Sequence, residues 1–139
     1  MCYSTRVIPF RLDFEPGIPI YEQVVYAAKR AVVSGQMRPG DTFPSVRELS
    51  RELKINPNTA HKVVLHLVSE GILEVRPGIG TLVAAPRVSA ASERSRLVGR
   101  ELEQLVVEAL RLGLRLDDVA EALSDHWQKL NGASPRSKP

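Results

Sequence analysis

A short polar run stands at the start of a segment with helical periodicity. It reads NPNTAHKVV, residues 56 to 64, and it contains Asn58, Thr59, His61 and Lys62. An asparagine amide can pair with adenine, a lysine can donate to guanine O6 and N7, and a threonine can offer its hydroxyl or its methyl group. A histidine ring can donate or accept a hydrogen bond. These residue types at one helix start are typical of a surface that contacts nucleic-acid bases.

The periodicity of this segment separates the polar residues from the predicted core. On a helical wheel of residues 57 to 70, one face is apolar and consists of Ala60, Val63, Val64 and Leu67. The opposite face consists of Asn58, Lys62 and Ser69, with His61 and Thr59 on its flanks. The polar face is therefore predicted to be exposed and available to base edges and phosphates.

The same run carries the signals that start and stop this helix. Asn56 can cap it with its side-chain oxygen, Pro57 suits the first helical position because its missing N–H has no partner there, and Gly71 ends it. Capping alone would explain Asn56, and a base or phosphate contact is the alternative.

A second helix is predicted immediately upstream. Ser45 followed three residues later by Glu48 forms a capping box, so the helix begins at Val46, runs to about Lys54 and buries Val46, Leu49 and Leu53. Free backbone N–H groups at a helix start attract phosphate, so Ser45 and Arg47 are predicted to hold the DNA backbone. Pairing of Arg47 with Glu48 or Glu52 on a solvated face is the alternative.

Further elements flank this pair of helices. A short edge strand is predicted over residues 7 to 12. A first helix is predicted with Pro19 in its first turn and a stop at Gly35, and its apolar face, which must be buried, carries Ile20, Val24, Ala27, Ala28, Ala31 and Val32. RPGD, residues 38 to 41, predicts a type II turn. ILEVR and TLV around residues 77 to 80 predict a β-hairpin, or wing, whose Arg76, Gly78 and Gly80 would approach the minor groove. The glycines would otherwise serve only the turn.

The C-terminal part differs in character from the rest. Residues 85–92 are rich in Ala, Ser and Pro and predict a linker between a domain of residues 1–84 and a two-helix region of residues 93–131. The first helix has a heptad-like seam of Val98, Leu102, Leu105, Ala109 and Leu112, widened by Val106 and Leu110, and ends at Gly113. The second opens near Asp117 or Asp118 and carries Val119, Ala122, Leu123, Trp127 and Leu130. Residues 132–139 are predicted to be a disordered tail.

Composition narrows the function classes. Residues 1–86 hold 10 Lys and Arg against 8 Asp and Glu, and residues 87–139 hold 9 against 8, so local placement of cations rather than bulk charge would attract DNA. No segment predicts a membrane span or a signal peptide, which makes the cytoplasm the expected compartment. Cys2 is given no role, and His61 and His66 lack further ligands for a metal site. The sequence contains no nucleophile with an adjacent base and no phosphate-binding glycine loop, so neither an enzyme nor a cofactor is predicted.

The predicted elements follow the order helix, helix, turn, helix and hairpin, and two further helices come after the linker. This order predicts a mainly α fold with a small β wing, namely an N-terminal winged helix-turn-helix domain plus a C-terminal α-helical hairpin. Residues 18 to 83 contain six motifs in order: Pro19-Ile20-Tyr21, Pro39-Gly40-Asp41, Pro44 to Leu49, Asn56 to Thr59, Glu70-Gly71 and Gly78 to Thr81. In order and spacing these motifs resemble the DNA-binding domain of GntR-family bacterial transcription regulators. The short C-terminal region resembles the YtrA subfamily, in which two helices serve dimerisation and the large effector domain is absent.

The resemblance implies a homodimeric repressor that binds double-stranded DNA at an inverted repeat, with contacts from Arg47, Asn56, Asn58, Thr59, His61 and Gly78. Some relatives place a base-reading Arg where this chain has Pro57, so guanine recognition would shift, with Lys62 as the candidate. The dimer interface would be formed by apolar residues of the two C-terminal helices, namely Val98, Leu102, Leu105, Val106, Ala109, Leu112, Leu123 and Trp127. Any small-molecule inducer would have to bind at that interface or between the two parts of the chain.

Three alternatives stay open at this point. The C-terminal helices could pack on their own winged domain, although two short helices bury little by themselves. A winged-helix protein-interaction module would use Leu65, Val68 and the wing against a protein partner, and the same two residues could instead contact a thymine methyl or the partner's C-terminal helices. A fragment of a longer regulator is the third alternative, against which the polar, Pro-containing tail argues.

Overall fold

The described residues form seven helical segments and one hairpin. The computed structural model describes residues 8, 10, 12–86 and 90–131. Its elements in chain order are α1 (Ile20–Val33), α2 (Val46–Leu53), α3 (Pro57–Ser69), β1 (Leu73–Arg76), β2 (Gly80–Val83), α4 (Ala91–Arg96), a π-helical turn (Leu97–Glu101), α5 (Leu102–Arg111) and α6 (Leu116–Asn131). The predicted winged helix-turn-helix is therefore confirmed, and no helix in the described ranges is both long and apolar enough to cross a membrane.

The core of the winged domain lies where α1 and α2 pack on α3. All four residues predicted for the inner face of α3 are buried, as is Leu49 of α2, while Val46 and Leu53 are half-buried against them. On α1 the buried residues are Val24, Val25, Ala28 and Ala31. The prediction for Ile20 was wrong: it lies in the first turn of α1, beyond the edge of the core, and is 41% exposed.

Apolar side chains, not backbone pairing, anchor the described residues near the N-terminus. Residues 7, 9 and 11 of the predicted edge strand lie outside the described residues, and Ile8, Phe10 and Leu12 are not in a strand. Ile8 and Phe10 are buried, and the Phe10 ring stacks on Phe43 with 6.4 Å between centroids. The strand prediction fails here because the alternation of apolar residues serves side-chain burial instead of a sheet edge.

The predicted turn at residues 38 to 41 fixes the path into the wing. The Asp41 N–H donates to the Arg38 carbonyl at 2.9 Å, and Gly40 has φ +92°, which an L side chain rarely adopts. Beyond the turn, the N–H groups of Gly40 and Phe43 donate to the Val83 and Thr81 carbonyls, both at 2.8 Å. The antiparallel β1–β2 hairpin is thus fastened along β2 by a third segment of chain.

The first C-terminal helix begins earlier than expected and is not uniform. Residues 87–89 of the predicted linker lie outside the described part, and α4 starts at Ala91, inside that linker, with the Glu93 carboxylate accepting the Ala90 N–H at 3.2 Å. A π-helical turn around Gly99 then interrupts the seam, because a wider turn inserts an extra residue into the helical repeat.

The last helix starts and stops as local signals require. Gly113, with φ +80°, ends α5, and α6 begins at Leu116, where the Asp118 carboxylate accepts the Arg115 N–H at 3.0 Å. Helix α6 contacts α1 of the winged domain. The predicted tail of residues 132–139 lies outside the described residues.

Candidate nucleic-acid interface

The start of α2 presents a built capping box next to an exposed cation. The Ser45 hydroxyl accepts the Glu48 N–H at 3.1 Å, and the Glu48 carboxylate accepts the Ser45 N–H at 2.9 Å. Arg47 is exposed and makes no ion pair with any described residue, so the alternative of pairing with Glu48 or Glu52 finds no support. Its guanidinium is available for a phosphate beside the positive end of the helix dipole.

The start of α3 is set by Asn56 and Pro57 as the sequence predicts. The Asn56 side-chain oxygen accepts the Asn58 N–H at 2.7 Å, and the Asn56 carbonyl accepts the first intrahelical bond from Ala60 at 3.0 Å. The Asn56 amide nitrogen makes no hydrogen bond within the part of the chain that the structure describes. Asn56 therefore caps the helix with one side-chain atom and keeps two N–H donors for solvent or a ligand.

The outer face of α3 carries the remaining predicted contacts. Asn58, His61 and Lys62 are exposed, and Thr59 is half-buried at the edge of the face. None of these four side chains is held by a hydrogen bond or ion pair to another described residue. The face is therefore a set of donors and acceptors with no internal partners among the residues described.

Leu65 and Val68, which the sequence places off the core face, separate in the structure. Leu65 is 55% exposed on the outer face, whereas Val68 is half-buried and packs against the core. An open groove of about 560 Å³ runs beside Leu65 and is lined by Tyr21, Thr59, Lys62, Leu65, His66 and Ser69. Leu65 is therefore the more accessible of the two residues to a ligand.

The wing presents its tip to solvent. Gly78 (φ +80°) and Gly80 (φ +122°) adopt backbone conformations that favour glycine, and the Ile79 N–H donates to the Arg76 carbonyl at 3.0 Å to close the turn. A type II turn with Pro77 and Gly78 at its centre accounts for the first glycine. The Arg76 guanidinium is paired with Glu74 at 2.9 Å, so a DNA contact by Arg76 would have to compete with that exposed pair.

One polar cluster was missed in the sequence. Glu70, at the end of α3, pairs with Lys29 of α1 at 2.9 Å and with the His66 ring at 3.2 Å, and the Tyr21 ring meets His66 edge-on with centroids 5.7 Å apart. Partial burial raises the pKa of Glu70, but the hydrogen bond and charge of Lys29, with His66, outweigh this and leave the pKa lowered. The spacing of His66 and Glu70, four residues apart on one helix, was the available signal.

The C-terminal helices expose most of their apolar side chains. Of the predicted dimer seam, Ala109 alone is buried within the chain, and it is therefore not an exposed interface residue. The other seam positions are 42% to 69% exposed: Val98, Leu102, Leu105, Val106, Leu112, Leu123 and Trp127. Leu97, Val107, Leu110, Leu114 and Leu116 are exposed as well. Clusters of exposed apolar side chains are typical of surfaces that bind another protein.

The described ranges hold no cluster of His, Cys, Asp or Glu that suits a metal ion. What the fold does bring into contact is α2 with α3 and α3 with β1, so the capped start of α2, the outer face of α3 and the wing belong to one packed unit. This is the set of elements with which winged helix-turn-helix domains approach duplex DNA.

Comparison with known proteins agrees with this arrangement. Residues 20–83 match the family model described as bacterial regulatory proteins, gntR family. The chain is 33% identical over 116 residues to the HTH-type transcriptional repressor YtrA of Bacillus subtilis, covering 83% of this chain and 89% of that protein. The fold is similar to that of a transcriptional antiterminator from Listeria monocytogenes EGD-e, with a TM-score of 0.78 at 24% identity over 87% of this chain and 91% of the other.

A second solved structure, YtrA from Sulfolobus acidocaldarius, described as a GntR-family transcription factor, is 27% identical with a TM-score of 0.50 and covers 86% of this chain and 97% of its own. Relatives of this family are transcriptional regulators, and no enzyme family is indicated. The matched region covers most of both chains. The chain belongs to the GntR family of bacterial transcription regulators, within its YtrA-like group.

Proposed function

We propose that this regulator acts as a homodimer that binds an inverted-repeat operator and represses transcription. The observation that carries the proposal is the outer face of α3, whose Asn58, His61 and Lys62 side chains are exposed and without partners among the described residues. A helix with such a face, beside the capped start of α2, suits insertion into the major groove, where base edges present their donors and acceptors.

Each surface would contribute a different kind of contact. Asn58, Thr59, His61 and Lys62 would meet base edges, and Lys62 would take the guanine contact that Pro57 cannot make. Ser45, Arg47 and the Asn56 amide would bind phosphates and set the position of α3 without reading sequence. Gly78 and Gly80 would let the wing backbone approach the edge of the minor groove, with Arg76 leaving Glu74 for a phosphate.

Dimerisation is supported by the apolar side chains that α5 and α6 leave in water. Seam residues such as Leu105 and Trp127 are at least half exposed in the isolated chain, and burial against a symmetric copy would remove them from solvent. A two-fold dimer would hold two α3 helices roughly 34–36 Å apart, one helical turn of DNA, which is why the operator should be an inverted repeat.

A dimer that occupies such an operator would repress transcription of the adjacent gene. The similarity to a Bacillus repressor supports repression rather than activation. Because operator DNA of a bacterium lies in the cytoplasm, the proposed function places the protein there. Any small-molecule inducer would act by changing the distance between the two α3 helices, either from the dimer interface or from the contact between α6 and α1.

The proposal is tested by selection of bound sequences from a random duplex pool with the purified protein at near-physiological salt. The expected result is one enriched inverted repeat, with half-sites about one helical turn apart. Asn58→Ala serves as the matched variant, because it removes an exposed side chain and should relax preference at one position in each half-site. Absence of enrichment, with binding that vanishes as salt rises, would refute specific operator binding and favour a protein-interaction module.

A further inference from the structure

An apolar side chain stands in the middle of the proposed DNA-reading face. Leu65 is 55% exposed and follows Lys62 by three residues and His61 by four, so the three side chains are neighbours on the outer surface of α3. An exposed leucine cannot exchange hydrogen bonds with base edges. The major groove offers one apolar group, the 5-methyl group of thymine.

The groove beside Leu65 favours DNA over an apolar protein helix as its occupant. Its lining residues include no carboxylate, and Lys62, one helical turn before Leu65, has no ion pair among the described residues. His66, which also lines the groove, is paired with Glu70, and Glu70 pairs with Lys29 as well. The unbalanced positive charge thus lies next to Leu65 and suits a polyanion whose bases carry methyl groups.

Residues that line the groove beside Leu65 make contacts with one another. The Tyr21 ring is half-buried at the start of α1 and meets His66 edge-on, and the Ser69 hydroxyl donates to the His66 carbonyl at 2.7 Å. Leu65 therefore lies beside neighbours that have contacts of their own, on the same outer face as Asn58 and Lys62. Packing of this residue against the C-terminal helices of a second copy is the competing outcome.

We infer that Leu65 is a specificity-determining residue that contacts the 5-methyl group of a thymine in each operator half-site. The inference rests on the proposed function and adds to it the chemistry of one base position. It assigns discrimination between thymine and uracil, which differ by that methyl group alone, to a residue without hydrogen-bonding atoms.

The test starts from the inverted repeat enriched in the selection. Each thymine of the half-site is replaced in turn by deoxyuridine in both half-sites, and affinities are measured for wild type and Leu65→Ala. For wild type, one position should weaken binding about fourfold per half-site, or about fifteenfold per dimer, which corresponds to the roughly 0.8 kcal/mol of one buried CH₂ group. Leu65→Ala should bind the thymine and uracil operators equally at that position.

A matched control and a second readout separate the outcomes. Val33→Ala, which removes another exposed apolar side chain at the end of α1, should keep the wild-type ratio of thymine to uracil affinity. Sedimentation of Leu65→Ala should show an unchanged dimer. A methyl-sensitive position that survives in Leu65→Ala, no sensitive position at all, or loss of the dimer would each overturn the inference, while the enriched repeat would still support specific operator binding by wild type. Failure to enrich any repeat would overturn both.

Discussion

The two roles of Asn56, helix cap and DNA contact, can be separated by substitution because they use different atoms. The side-chain oxygen accepts the Asn58 N–H at 2.7 Å, and the amide nitrogen is the atom proposed to reach DNA. Asn56→Ser keeps a capping oxygen and replaces the two amide donors by one hydroxyl on a shorter side chain, whereas Asn56→Ala removes the cap and all side-chain donors. Ser and Asn are about equally good caps, so the two variants differ chiefly in stability.

The expected magnitudes follow from these contacts. Loss of the cap in Asn56→Ala should lower the free energy of unfolding by about 1 kcal/mol, while Asn56→Ser should stay within about 0.5 kcal/mol of wild type. Loss of a hydrogen bond to a charged phosphate corresponds to about 1.5–3 kcal/mol, so both variants should lose at least about tenfold in operator affinity per half-site. Stability and affinity should therefore diverge for the serine variant.

Denaturant unfolding and operator titration of the same preparations measure the two quantities. The selected operator is used at fixed salt, because affinity for DNA depends steeply on ionic strength. If Asn56→Ser and Asn56→Ala both bound the operator as tightly as wild type, Asn56 would be a cap only and the phosphate contact assigned to it would be withdrawn. If Asn56→Ala were as stable as wild type, the observed capping bond would contribute nothing measurable.

Three further predictions concern the seam, the DNA face and the polar cluster. Leu105→Ala should raise the dimer dissociation constant measured by sedimentation about 30-fold, because the buried half of a leucine side chain, about 1 kcal/mol, is lost from each copy. An unchanged dissociation constant would contradict the assignment of the seam as the dimer interface. Arg47→Ala should weaken binding to all DNA sequences and lower the salt dependence of the affinity by about 1 in slope. Asn58→Ala should cost about 1–3 kcal/mol of operator binding and relax the sequence preference at one base position. If the two variants showed the same salt dependence and the same sequence preference, the assignment of Arg47 to phosphate and Asn58 to a base would be contradicted. Because the pKa of Glu70 is lowered from 4.5, its ion pairs stabilise the fold above pH 4.5, and this stabilisation is lost as the pH falls through the lowered pKa. The free energies of unfolding of wild type and Glu70→Gln should therefore become equal in acid. A difference between them that stayed constant with pH would contradict this.

Local signals made the elements around the interface predictable from the sequence. The capping box at Ser45, the cap at Asn56 and the turn at Gly40 each depend on residues within four positions of one another, and each is present in the structure. The inner face of α3 was equally predictable, since it depends only on helical periodicity.

Features that depend on distant parts of the chain were not predictable in the same way. Phe43 and Met37 belong to the core although they lie between helices, and the attachment of residues 40 to 43 to β2 has no local signature. The π-helical turn at Leu97–Glu101 changes the register of a seam that looked regular. The burial of Ala109 within its own chain is likewise not given by its position in the seam.

The separation of the two proposed surfaces has a consequence that distinguishes their variants. If the seam and the outer face of α3 act independently, Leu105→Ala leaves each DNA-binding face intact and removes only the coupling between half-sites. Its operator affinity should then recover as protein concentration rises above the weakened dimer dissociation constant, because mass action restores the dimer. Asn58→Ala should show no such recovery, since its loss lies in the contact with the base. A seam variant whose deficit persisted at every concentration would mean that α5 and α6 also position α3 within one chain, through the contact of α6 with α1.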